Sequence, residues 1–166
     1  MKIKTTFITN SSSSTFIIAW PYKINSENDV IKFVPKKYAK TVYQDATDPI
    51  PKNHPDALQR IIEEVGNGYI DGFPCHTKII EEICKRENIT KQNLYDNNIW
   101  YNQSYREEKI KRNKIAYKKS KEFLDEITEG SYIYILEYGD DNGEYFSQME
   151  HGNIFAKLPH IKISNH

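Results

Sequence analysis

The chain has 166 residues, with 23 Lys and Arg against 23 Asp and Glu, and a mean hydropathy of -0.74. An aromatic content of 13%, including 12 Tyr, excludes a disordered chain, and zero formal net charge excludes a protein whose whole body binds nucleic acid or membrane. This length fits one domain, 1–166, able to bury roughly 70% of its unfolded surface without a metal or disulfide.

Residues 2–8 alternate, with Ile3, Thr5 and Phe7 on one side, which predicts a half-buried strand. A polar tract from Thr9 to Thr15 follows and reads as a loop. Phe16 to Trp20 is apolar on both faces and stops at Pro21, as a covered strand does. Ser26 is placed to cap a short helix over 27–34 that ends at Pro35. Residues 36–54, with Pro49 and Pro51, show no period and read as a long loop. Pro55 opens a helix through Leu58, Ile61, Ile62 and Val65 to a stop at Gly66.

A second helix from about Thr77 to Glu87 aligns Ile79, Ile80, Ile83 and Cys84, and a third begins after Thr90. Ser104 and Glu107 form a capping box for a long helix to about Thr128, with Ile110, Tyr117 and Leu124 seven apart and Ala116, Phe123 and Ile127 beside them. Ser131 to Tyr138 is the best strand, Gly139 to Gly143 a turn, 144–150 one or two helical turns, and 160–164 a last strand. The order predicts an α+β fold: a largely antiparallel sheet from N- and C-terminal strands, with helices on one face and 53–128 as a candidate helical insertion.

Composition carries a second message. There are 23 Ile against 5 Leu, 19 Lys against 4 Arg, and 14 Asn, the bias of an AT-rich genome, bacterial or viral. That bias weakens any argument from lysine alone. Cys75 and Cys84 match neither a redox nor a zinc spacing, and Cys84 shares a helical face with Ile80 and Ile83, which predicts a buried free thiol. No disulfide framework, leader-type apolar segment or membrane-length run is present, so a cytoplasmic chain with no membrane partner is expected.

The tract Asn10, Ser11, Ser12, Ser13, Ser14 and Thr15 is the most unusual local feature, since hydroxyls and backbone N–H groups can cradle a phosphate. It lacks the glycines and Gly-Lys-Ser/Thr ending of a P-loop, and the spacings of the common serine nucleophiles. His151, His160 and His166 crowd the last sixteen residues. His160 and His166 would lie about 20 Å apart on a strand, too far to share an ion, so no metal site and no cofactor are expected. His151 or His160 acting with a tract hydroxyl requires the two ends to pair. We expect them to, with Asn10–Thr15 and His151 or His160 converging on one sheet edge.

Charge is segregated as well. Residues 104–121 hold eight Lys and Arg (Arg106, Lys109, Lys111, Arg112, Lys114, Lys118, Lys119 and Lys121) against two Glu, while 122–150 hold nine Asp and Glu and no Lys or Arg. The basic helix is a candidate partner-binding surface. Only Tyr105 and Tyr117 lie there for base stacking, so a protein partner is favoured over nucleic acid.

The segment Lys4-Thr5-Thr6-Phe7-Ile8-Thr9-Asn10-Ser11-Ser12-Ser13-Ser14-Thr15-Phe16 resembles the opening of a set of uncharacterised bacterial and phage proteins that begin with a "TNSSSSSF" motif. Here Thr15 replaces the fifth serine. Glu150 to Phe155 and Leu158 to His166 are similar to the closing segments of the same set. The resemblance covers about a fifth of the chain and implies a shared pairing of the two ends, not an activity. Together these readings favour a non-enzymatic intracellular binding or regulatory protein of phage or mobile-element origin. The alternatives are a small enzyme or ligand-binding domain for a phosphate-bearing substrate at the serine tract, and nucleic-acid binding through the basic helix 106–121.

Overall fold

The computed structural model describes residues 13–68, 76–139 and 144–164; the strand expected over 2–8 and the turn at 140–143 lie outside them. Four strands form one antiparallel sheet. β1 (Ser13–Trp20) lies between β3 (Tyr132–Gly139) and β4 (His160–Ser164), and β2 (Ile50–Pro51) flanks β3. Ile17 pairs with Ile135 on one side and Ile161 on the other. The N- and C-terminal regions therefore supply one α+β sheet. Pro51 is tolerated because, among the described residues, β2 is an edge strand with no second ladder to complete.

Helices cover both faces of the sheet, a wider cover than the single helical face expected. The cause is β1, which is apolar on both sides. Phe16, Ile18 and Trp20 join Tyr134, Leu136 and Tyr138 against α1 (Glu27–Ile31), α2 (Lys36–Asp45) and α7 (Glu144–His151). Ile17 and Ala19 join Ile133 and Ile163 against α3 (Ala57–Asn67) and α6 (Gln103–Glu126). A third cluster of Ile79, Ile80, Ile83, Cys84, Leu94, Ile99 and Tyr105 is built from α4 (His76–Glu87), α5 (Lys91–Asp96), a 3-10 turn (Ile99–Tyr101) and the head of α6. Cys84 is a buried free thiol there.

Three sequence readings are corrected. The loop assigned to 36–54 contains α2 and β2, because Tyr38, Ala39 and Val42 recur at helical spacing and bury on the sheet. The serine tract is not all loop, since Ser13, Ser14 and Thr15 are the first residues of β1. The cap of α6 is Asn102, whose Oδ1 accepts the Tyr105 N–H at 2.9 Å, so the Ser104–Glu107 box is not what starts this helix. Asn102 also donates to Glu87 at 2.8 Å, which fixes the start of α6 to the end of α4.

Within α6 the buried face is Tyr105, Arg112, Ala116, Ser120 and Phe123. Of the seven-residue series, Ile110 and Tyr117 are exposed and Leu124 is half-buried. No helix among the described residues is long and apolar enough to cross a membrane.

Candidate functional site

The paired ends place several candidate residues. Strand alternation sends Ser14 to one sheet face and Ser13 and Thr15 to the other. Ser13 Oγ donates to Glu137 at 2.8 Å. Ser14, 1% exposed, donates its hydroxyl to Glu150 at 3.3 Å, and Glu150 is itself fully buried. His151 Nε2 lies 3.6 Å from the other Glu150 oxygen, with its ring largely exposed. Lys162 Nζ donates to the Glu150 carbonyl and lies 5.5 Å from the Phe16 ring centroid. Gly152 follows, where an added Cβ would collide with the Gln148 carbonyl oxygen, so only glycine lets the chain leave α7 this closely.

This cluster brings Ser14 and His151 to one carboxylate. It does not bring His160 to them. His160 pairs with Ile18, four positions along β1 from Ser14, or about 13 Å. Its Nδ1 is 2.9 Å from the Leu158 carbonyl and its ring packs near Phe155. A hydroxyl buried against a buried carboxylate ties β1 to α7 and is not presented to a substrate. Asn10, Ser11, Ser12 and His166 lie outside the described residues. Among the described residues, no three His, Cys, Asp or Glu side chains are grouped to hold a metal.

A groove of about 770 Å³ lies between α3, the 3-10 turn and α6. Local sequence builds it. Thr90 caps α5 by accepting the Asn93 N–H. Asn97 and Asn98 then end that helix, Asn98 entering the left-handed region at φ 58°, which asparagine tolerates. The Asn98 side chain accepts the Trp100 N–H, starting the 3-10 turn that carries Trp100 outward.

Trp100 is 55% exposed and meets Tyr105 edge-on, with ring centroids 5.5 Å apart. Lys109 Nζ lies 3.9 Å from its ring centroid, a cation–π contact. Tyr117, 49% exposed, lines the same groove. Gln59, Asn67 and Asn113 add amides, Glu63 a carboxylate, and Ile62 the one aliphatic side chain among the lining residues.

Arg112 forms part of the groove wall. It is buried, and its guanidinium donates to the carbonyls of Gly66 and Gly68, the unpaired C-terminal end of α3. Burying this cation is tolerable because carbonyl oxygens surround it. Burial also pushes the Tyr105 phenol above its ordinary range, with Tyr95 adding to the rise and Arg112 opposing it.

The eight candidate cations of the basic helix thus divide. Lys111, Lys118 and Lys121 pair along the helix with Glu108, Glu122 and Asp125, at 3.2, 3.8 and 2.8 Å. Arg112 holds α3, Lys109 faces the groove, Lys119 is half-buried, and Arg106 and Lys114 are exposed. Trp100 escaped sequence reasoning because it lies outside every periodic segment. The available signal was an Ile-Trp-Tyr triplet directly after a helix-ending Asn-Asn pair, which leaves the two rings no core face of their own. Comparison with protein-family models, curated proteins and solved structures finds no match.

Proposed function

We propose that the chain is a non-enzymatic binding or regulatory protein that acts in the cytoplasm and contacts its partner through the groove between α3 and α6. The observation that carries this reading is the exposed Trp100–Lys109 pair beside exposed Tyr117, at the mouth of a groove of about 770 Å³. Tryptophan and tyrosine exposed together at a concave site are the side chains that dominate binding energy where partners meet. The resemblance of the two chain ends supports an origin in a phage or mobile element. A phosphate site on the serine tract is less favoured, because the hydroxyls of Ser13 and Ser14 already donate to Glu137 and Glu150.

Site-specific photocrosslinking tests it. A benzophenone side chain at Asn113 in the groove is compared with one at Lys40, exposed on α2 across the sheet. The expected result is an adduct in lysate from position 113 alone, lost when Trp100→Ala is added. Equal adducts from both positions, or none from 113, contradict the reading.

A further inference from the structure

Resting on the groove as the binding surface, we propose that its occupant is single-stranded nucleic acid, with bases stacked on Trp100 and Tyr117 and phosphates held by Lys109 and its helical neighbour Arg106. Four features of the groove carry this inference.

The first is the rings. In the basic stretch 104–121 the chain offers only Tyr105 and Tyr117, and Tyr105 is buried. The fold replaces it with Trp100, so two exposed aromatic side chains border one groove, with Tyr101 exposed beside Trp100 in the same turn. Every base has a π-face, so exposed aromatic rings along a groove bind single strands without a sequence code.

The second is the lining. A pocket for an apolar ligand is lined predominantly by hydrophobic and aromatic side chains, and here only Ile62 and the rings of Trp100, Tyr105 and Tyr117 are of that kind. The amides of Gln59, Asn67 and Asn113 line the groove beside them. Gln59 donates to Glu63 at 2.9 Å, whereas Asn67 and Asn113 make no side-chain hydrogen bond among the described residues. Such amides offer both donor and acceptor atoms to the edge of an unpaired base.

The third is charge. The helical partners Glu108, Glu122 and Asp125 hold Lys111, Lys118 and Lys121. Lys109 instead sits on the groove wall against Trp100, while Arg106 and Lys114 are exposed on the same helix. A polyanion gains from Lys109 and Arg106, which lie one turn apart on one face of α6, whereas Lys114 sits about 140° further round the helix.

The fourth is access. A base must be unstacked and unpaired to lie against Trp100, which selects single strands over duplex. The α3–α6 floor is fixed by Arg112, so the groove is already formed before the ligand arrives.

Fluorescence anisotropy of labelled dT12 and U12 with the full chain tests the inference. Binding is expected at 50 mM salt, with duplex of equal length binding more weakly. Trp100→Ala and Tyr117→Ala are each expected to weaken it by roughly 5- to 150-fold, the range for one lost base stack. Trp100→Phe should restore most of the loss. Two phosphate contacts predict about 7-fold weakening between 50 and 200 mM salt, and Lys109→Gln should lower the salt slope by about 0.7.

Tyr117 is exposed, so its alanine variant reports even if Trp100→Ala folds poorly, and circular dichroism checks both. Absence of binding at about 100 µM protein overturns the proposal. So does binding indifferent to both aromatic substitutions, which would be adherence to surface lysines, and so does Trp100-dependent binding of a glutamate-rich peptide with no oligonucleotide binding. If oligonucleotides fail while Asn113 still crosslinks to a protein, the nucleic-acid inference falls and the groove as contact surface stands. If both fail, both readings fall.

Discussion

Ser14 shows how little a residue's type says about its role until its strand face is known. Its hydroxyl belongs to the tract that suggests a phosphate site, yet it is buried against Glu150. Removing it leaves a buried carboxylate with one donor fewer, so Ser14→Ala is expected to destabilise the fold by about 1–3 kcal/mol in denaturant unfolding without changing groove binding. A neutral effect on stability would remove the structural role given to it here.

Glu64 makes a pH prediction. Burial, then the charges of Glu137 and Glu63, raise its carboxyl above the ordinary 4.5, while Arg60 opposes the rise. The folded chain therefore holds this proton more tightly than the unfolded chain. Its contribution to stability falls as pH rises from about 4.5 through the raised folded value, and is constant above it. Glu64→Gln should raise Tm at pH 7 and leave it nearly unchanged at pH 3.5. An equal gain at both pH values would place the effect elsewhere.

At the scale of elements, what was legible followed from simple periodicity. β1 from Phe16 onward, β3, β4, α4 and α5 stand where alternation, apolar spacing and the Thr90 cap put them. What was not legible depended on tertiary context. α2 has few apolar residues, and its Tyr38, Ala39 and Val42 become a helical face only against the sheet. In α6 a polar stripe is buried: Ser120 Oγ bonds back to the Ala116 carbonyl at 2.7 Å, and Arg112 caps α3. A buried arginine and serine are indistinguishable in sequence from solvated ones, so the inward face of α6 is not legible from its apolar spacing alone.

Arg112 also supplies the test at this scale. Arg112→Leu removes charge-assisted hydrogen bonds to two carbonyls at the α3 terminus, and the expected cost is about 2–3 kcal/mol. Hydrogen exchange should accelerate in the last turn of α3 before it does so in β1. Arg112→Lys, lacking the planar fork, should recover only part of the loss. Unchanged exchange in α3 would show that the cap is not what holds the groove wall.

For the whole molecule, the charge segregation read from sequence resolves in part into pairs within the basic helix itself. The Lys111, Lys118 and Lys121 pairs are local to α6, and solvent-exposed pairs of this kind add little to stability. What organises the chain is the doubly covered sheet together with the α4–α5 cluster, joined by α6, which at 24 residues is about 36 Å long. The groove lies where the α6 segment packed on α3 meets the 3-10 turn that follows α5.

The chain has two tryptophans, Trp20 buried on the sheet and Trp100 at the groove, so their indole N–H signals form a two-peak nuclear magnetic resonance spectrum with its own internal control. Titration with dT12 is expected to shift or broaden the Trp100 peak while Trp20 stays in place. An unmoved Trp100 peak under conditions where the oligonucleotide is bound, or perturbations confined to β4 around His160, would contradict the groove as the binding surface.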